Sequence, residues 1–384
     1  MQEFRLTTTR TGPALTLAVA GRFDITTVPH LEAALPANGV THLTLDLRDC
    51  HYISSAGLRW VLRAHQQMTA AQGALALTHV TPEVYSILEV TGLTKLLAVR
   101  KKAREISLEG LELISAGVCG ECYRVDRESV VKLYRDGIEP EIAEREKEYA
   151  RAAFVLGIPT AISYDVVTCG TRTGIIYEML DAELFSKVIR NDPAGLDRHA
   201  QTLATITRTV HATRGDRAVF PDMKQRFQGY LRQMDFFLPP DDIRLLLAKL
   251  ATIPDADNCV HFDLHTSNIM IRQGEPVIID MGDVSIGSYL FDIGLLNTIY
   301  GLPELGISEL ATKIPTAQGV QLWEAFLKHY FADKPAAEYE FFDRNRYFLG
   351  SLRAIYSITF LPQLRDALCR MVTDTLMPRI REER

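Results

Sequence analysis

The sequence predicts two folding units in series. The first is an α/β layer domain over residues 1–100, and the second is an α+β domain with a β-rich first lobe and an α-rich second lobe. Three observations carry this reading. Strand-like alternation and helix-like spacing interchange through residues 1–100. Strand patterns then crowd residues 112–180, while helical patterns dominate 181–384. A chain of 384 residues is also too long for one compact core.

The elements follow in order. Ala14-Leu-Thr-Leu-Ala-Val-Ala20 alternates apolar and polar residues and stops at Gly21, the pattern of a strand. Thr27 to Leu35 has helical spacing, and His42-Leu-Thr-Leu-Asp-Leu47 is a second strand. Leu58, Val61, Leu62, His65 and Met68 share one helical face. Gly73 punctuates before the strand Ala74 to Thr78, and a helix runs from Pro82 to about Val90. Residues 101–111, opening with Lys101-Lys-Ala-Arg104-Glu, read as a short linker. Beyond it, Leu111 to Ile114 and Cys122 to Val125 flank a turn at Ser115–Gly120, and Ser129 to Tyr134 is a further strand. Glu139 to Leu156 is a charged amphipathic helix closed by Gly157-Ile-Pro159. Strands at Ile162 to Thr168 and Thr173 to Glu178 complete the β-rich lobe over 112–180, and the helical lobe occupies 181–384.

Composition narrows the class. Hydrophobic residues at 47% and charged residues at 23% are ordinary for a soluble globular protein. A net charge of −6 gives no reason to expect nucleic acid or an anionic membrane as a partner. No apolar run approaches the roughly 20 residues that span a bilayer, and the N-terminus has no signal-peptide pattern. Six scattered cysteines fit reduced thiols in a cytoplasm. Cys119-Gly-Glu-Cys122 has C-x-x-C spacing, but no second pair follows and no thioredoxin-like βαβ unit surrounds it, so it reads as a loop.

The most informative segment is His261-Phe-Asp263-Leu-His-Thr-Ser-Asn268, followed by Val277-Ile-Ile-Asp280-Met-Gly-Asp283. In H-x-D-x-x-x-x-N the aspartate is placed to take a proton from an attacking hydroxyl, and the asparagine is placed to hold a metal. Asp280, after a short apolar strand, supplies a second oxygen ligand of the kind Mg²⁺ prefers. The runs Cys259-Val260 and Val277-Ile-Ile279 are expected to pair as a hairpin with the polar residues in its loop. Upstream, Gly117 and Gly120 bracket a turn suited to phosphates, and Lys132 on the next strand is the expected phosphate-binding ammonium. Glu144, Glu146 and Glu148 compete to pair with Lys132, with Glu146 the first choice and Glu148 the second. Glu178 to Leu180, at the end of the last strand, is placed to meet an adenine edge.

Residues of roughly 112–300 resemble the aminoglycoside and choline phosphotransferase family, the small-molecule branch of the protein-kinase-like fold. The resemblance rests on His261, Asp263, His265, Asn268 and Ile279-Asp280, and on the later Phe291-Asp292-Ile-Gly294. It implies ATP and Mg²⁺ as cofactors, Asp263 as catalytic base, Asn268 and Asp280 as metal ligands, and a small-molecule hydroxyl as acceptor. It also implies that Asp292 braces the catalytic loop and that the Leu203–His211 helix is structural. The chain departs from protein kinases in lacking the H-R-D arginine, the Phe-Gly after Asp280 and any A-P-E, so no activation-loop switch is expected. The stretch from Gly301 onward balances acidic and basic residues, which gives no bias toward a cationic acceptor. Tyr330, Phe331, Tyr339, Phe341 and Phe342 offer either an aromatic cage or helix-packing core.

Residues 1–100 resemble the STAS domain of anti-sigma factor antagonists and sulfate-transporter tails. Gly21-Arg-Phe-Asp24, Leu43-Thr-Leu-Asp46-Leu and Tyr52-Ile-Ser-Ser55-Ala-Gly57-Leu58 carry the resemblance. It implies a mixed sheet with helices, a protein partner, and Ser55 as the position of a regulatory phosphoserine. Ser54 stands where antagonists often have aspartate, and it is suited to cap the next helix. The chain is therefore expected to be an ATP- and Mg²⁺-dependent phosphotransferase fused to a STAS module. The alternative is a non-catalytic, nucleotide-sensing, partner-switching regulator.

Overall fold

A computed structural model describes residues 3–35, 39–117 and 120–383. The chain divides into two compact units, Met1–Glu105 and Ile106–Arg384.

The first unit is a mixed five-stranded sheet in the order Arg5–Thr11, Ala14–Phe23, His42–Ile53, Ala74–Val80, Ala98–Lys101. The first pair is antiparallel and the other pairs are parallel. Period-2 alternation sends Leu15, Leu17, Leu43, Leu45, Leu75 and Leu77 into one core, where Trp60, Val61, Ala64 and Met68 of the helix Ser55–Ala70 meet them. The two edge strands were not legible in the sequence. Arg5–Thr11 and Ala98–Lys101 are almost wholly exposed, so nothing imposes an apolar alternation on them. At the start of the helix Ser55–Ala70, the Ser54 hydroxyl accepts the backbone N–H groups of Ala56 and Gly57 at 3.2 and 3.4 Å. Gly57 must be glycine, because a β-carbon there would lie 2.7 Å from the Phe23 carbonyl oxygen. Ser55 itself is exposed.

The second unit opens with antiparallel strands in the order Ser163–Cys169, Arg172–Glu178, Ser129–Tyr134, Gly120–Arg124, Glu112–Ala116. The helix Pro140–Val155 packs on this sheet. An α-rich region follows, including Leu196–Ala212, Met223–Arg232, Leu290–Leu296, Thr316–Phe331 and Arg346–Phe360. Among the described residues no helix is long and apolar enough to cross a membrane.

One expectation fails in this unit. Cys259–Val260 does not pair with the strand leading to Asp280; it pairs with Ser285–Ile286 beyond that aspartate. Glu275–Ile278 instead pairs with Ile269–Arg272, across the tight turn at Gln273-Gly274. The short local hairpin closes at lower entropic cost than the longer loop, and both apolar runs still find a buried partner. The two pairings nest in sequence but form separate small sheets, with the Ile269–Arg272 and Glu275–Ile278 hairpin lying between the two strands of the other pair along the chain.

The candidate active site

Alternation along Ser129–Tyr134 places Val131 and Leu133 on one sheet face and Lys132 with Tyr134 on the other. The helix Pro140–Val155 presents Glu146 to that second face. Of the three competing glutamates it is Glu146 that is buried and meets Lys132, whose ammonium lies 2.8 and 3.0 Å from the two carboxylate oxygens. Glu148 is exposed on the same helix. Two tyrosines complete the shell: Tyr177 donates to Glu146 at 2.8 Å, and Tyr134 donates to its other oxygen. Neither was foreseen, because a tyrosine in a strand normally signals core. Burial and the nearby Glu146 carboxylate raise both phenols above their usual range. The same Lys132 ammonium reaches Asp280 at 2.8 Å. Burial opposes the charge on Lys132, yet Asp280 and Glu146 outweigh it and lift the lysine well above its ordinary range. Asp280 is partly desolvated, which disfavours its charge, and Lys132 outweighs that to hold it below the usual carboxylate range.

Asp280 has φ +65° and is followed by Gly282, where a β-carbon would stand 3.2 Å from the Glu146 carboxylate. A side chain in that position would crowd the ion pair, which accounts for Met-Gly here.

The loop that carries Asp263 is held by a buried carboxylate. Asp292, fully buried, accepts the backbone N–H groups of His261 and Phe262 at 2.8 and 2.5 Å. His211 contacts Asp292 at 2.9 Å and the Tyr330 hydroxyl at 2.7 Å through its other ring nitrogen. Burial pushes Asp292 upward, and the His211 contacts and loop N–H groups outweigh it, so it titrates below the usual range. This clamp fixes Phe262 in a left-handed conformation, φ +60°, which costs a non-glycine residue of order 1–3 kcal/mol. Asp292 as the brace of the loop and His211 as a structural residue agree with the sequence expectation.

Asp263 then projects with both carboxylate oxygens engaged. Asn268 donates its amide nitrogen to Oδ2 at 2.9 Å and to the Asp263 carbonyl at 2.9 Å. Arg353, from the helix Arg346–Phe360, reaches Oδ1 at 2.7 Å. No local motif pointed to Arg353; it lies far down the chain and arrives only by helix packing. Its guanidinium also donates to the Phe262 carbonyl at 2.9 Å and to Asp283 at 3.2 Å. His265 approaches Asp263 at 3.8 Å, and burial keeps its imidazole below the ordinary histidine range.

Other expected residues stand apart. Gly117 donates its N–H to the Gly120 carbonyl at 2.8 Å, and a β-carbon on Gly120 would sit 2.4 Å from the Leu133 carbonyl oxygen. Val118 and Cys119, hence half of the C-x-x-C pair, lie outside the described residues. Glu178 follows Tyr177 at the end of its strand and accepts the Ile162 N–H at 3.0 Å, and Leu180 lies two residues beyond the strand; among the described residues neither hydrogen-bonds to the Lys132 cluster. Tyr330 and Phe342 are core, packed with Phe331 and Tyr339, and the Lys334 ammonium already lies 4.2 Å from the adjoining Tyr289 ring.

A strand lysine tied to a helix glutamate and a loop aspartate, beside an Asp–Asn pair on a clamped loop, defines a phosphotransferase of the protein-kinase-like fold. A profile of the phosphotransferase enzyme family matches residues 111–339, and the chain belongs to that family. Residues 6–99 match the STAS domain of the Mlab type. A putative anti-sigma factor antagonist, BtrV of Bordetella bronchiseptica, is 34% identical over 98 residues, covering 25% of this chain and 84% of that protein. Among solved structures, the gentamicin-APH(2")-IIa complex is 17% identical with a TM-score of 0.51, covering 76% of this chain and 97% of that one. An ethanolamine kinase of Plasmodium vivax is 14% identical with a TM-score of 0.49, covering 72% of this chain and 85% of that one. The two family matches, BtrV and the gentamicin complex bear out the STAS and kinase-like folds read from the sequence.

Proposed function

We propose that the second unit transfers the γ-phosphoryl group of ATP, with Mg²⁺, to a hydroxyl of a small-molecule acceptor in the cytoplasm. The observation that carries this is Lys132 bonded at once to Glu146 and Asp280, beside an Asp263 carboxylate on a fixed loop. Lys132 is held in place to receive phosphate oxygens, and Gly120 opens the neighbouring strand. Glu178 to Leu180 receive the adenine edge. Asn268 and Asp280 fit Mg²⁺: they are hard oxygen donors, few in number, and Asn268 uses only its amide nitrogen on Asp263. The metal, when bound, neutralises charge on the phosphates. The acceptor oxygen bonds to the γ-phosphorus, the bond to the bridging oxygen of ADP breaks, and the acceptor proton passes to Asp263.

Asp263→Ala is expected to lower transfer by about 10²–10⁴-fold while MgATP still binds in calorimetric titration. Transfer at the parental rate would end the catalytic assignment. Binding without any turnover in the parental protein would instead favour a nucleotide-sensing regulator.

The STAS unit is read as a protein-docking module with Ser55 as its phosphate acceptor. Ser54 does the capping, which leaves Ser55 exposed in the first turn. A phosphate there gains from the helix dipole and adds about −1.5 to −2 charges to the surface. Intact mass after incubation with MgATP checks whether this chain supplies that phosphate. No gain, or a gain that survives Ser55→Ala, rules it out.

A further inference from the structure

We infer that the acceptor is a small alcohol carrying a carboxylate or phosphate beside its reacting hydroxyl, and that Arg353 selects for that charge. The inference rests on Asp263 being the base. Arg353 is anchored in the acceptor side of the site by three partners: the Phe262 carbonyl, Asp283 and the Asp263 carboxylate. An acceptor that donates its hydroxyl to Asp263 Oδ1 therefore arrives against a fixed guanidinium. An ammonium meets like charge there, whereas an anion gains a charge-assisted hydrogen bond.

The aromatic rings around this point say the same independently. A cationic acceptor needs open ring faces. Phe262, Tyr230 and Tyr356 lie near Asp263, but their cation positions are already filled. The Arg353 guanidinium carbon is 5.3 Å from the Phe262 ring and 5.1 Å from the Tyr356 ring. Arg226 stands 5.9 Å from Tyr230 and 5.6 Å from Tyr356.

Charge balance points the same way. Arg226 approaches Asp283 at 4.0 Å and donates to Ser285 at 2.8 Å, and Tyr356 donates to Asp283 as well. When Asp263 takes up the acceptor proton, two guanidiniums share the single carboxylate of Asp283. An anion on the acceptor fills the vacant place: the proton leaves the acceptor oxygen for Asp263 Oδ1, and the Arg353 N–H turns from that oxygen to the anion. Arg353 is thus a specificity residue, and it requires no chemistry of its own.

A matched set of three-carbon or similar probes tests this on the full chain. Glycerate, glycerol 3-phosphate, glycerol, ethanolamine and gentamicin are titrated calorimetrically into the MgADP-bound protein, and labelled phosphate transfer from ATP is measured in parallel. At least one anionic probe is expected to bind at least tenfold more tightly than glycerol, ethanolamine and gentamicin. Arg353→Gln is expected to abolish that preference and Arg353→Lys to restore part of it, both with a cooperative unfolding transition retained. Equal or tighter binding of a cationic probe, no binding of either anion, or the same preference in Arg353→Gln overturns the inference, and the parental arm decides even where a variant fails to fold. Anion preference without transfer to any probe counts against the phosphotransferase reading alone. Transfer confined to neutral or cationic probes counts against the charge inference alone.

Discussion

Lys132 and Asp263 stand in the same site, yet their surroundings are assembled differently. Around Lys132, two neighbouring strands and one helix deliver Tyr134, Tyr177 and Glu146, and the ion pair is deeply buried. Around Asp263, one partner comes from its own loop and the other from a helix near the C-terminus, and the cluster remains about a fifth exposed. The first arrangement is a closed network in which removing one member strands the rest. The second is a partly open one in which solvent can replace a lost partner. Burial, more than the number of ion pairs, decides how much each contributes to stability.

The largest expected effect breaks the closed network. Glu146→Ala leaves Lys132 and two phenols without their shared acceptor, and should cost about 3–5 kcal/mol in the urea unfolding transition of the second unit. Arg353→Gln should cost less, roughly 1.5–3 kcal/mol, the worth of a hydrogen bond to a charged group. Comparable losses in the two variants would erase the distinction between the networks.

Packing at the open side offers the next test. A β-carbon on Gly294 would sit 2.7 Å from the Leu349 carbonyl oxygen, so this glycine lets the helix Arg346–Phe360 lie close against Leu290–Leu296. Gly294→Val should destabilise by about 1–3 kcal/mol through overpacking. It should also displace Arg353 and lower transfer by up to about 10²-fold, while MgATP affinity stays near parental. A parallel fall in nucleotide affinity would show that the two sides are not separable.

Acid sharpens the comparison further. Asp280 and Asp292 titrate below their ordinary range in the folded protein. Their contribution is therefore complete above the unfolded carboxylate value of about 3.9 and is lost as pH falls through the folded values. Urea midpoints of the second unit should drop through that acid window, and Asp280→Asn should flatten the drop; an unchanged slope would contradict the Lys132–Asp280 linkage. The smallest effect lies in the first unit, where Ser54→Ala removes a helix cap and should cost about 1 kcal/mol of that unit's stability.

What could be read from the sequence follows the same division. Lys132, Glu146, Asp263, Asn268 and Asp280 sit in local patterns whose order along the chain is itself informative, and the structure brings Lys132 to Glu146 and Asp280, and Asn268 to Asp263. Tyr134 and Tyr177 were hidden because their hydroxyls matter while their rings satisfy the strand pattern. Arg353 was hidden because an arginine on an amphipathic helix ordinarily faces water, whereas here it meets Phe262, Asp283 and Asp263. In the first unit the inner strands and helices were legible from apolar alternation. The two exposed edge strands carried no such signal.

Asp292 and Gly294 lie two residues apart on one short helix, and one grips the loop carrying Asp263 while the other seats the helix carrying Arg353. That loop and that helix are therefore referenced to the same point, about 3 Å of helix rise long. Positional error does not accumulate over the long stretch of chain between Asp263 and Arg353, because loop and helix are both seated on that short helix and their side chains then meet directly. The tolerance is correspondingly narrow in one place only. Inserting a single residue between Asp292 and Gly294 would rotate one anchor by about 100° relative to the other. Insertions of the same size in the exposed turns of the C-terminal region would leave the distance between Asp263 and Arg353 unchanged.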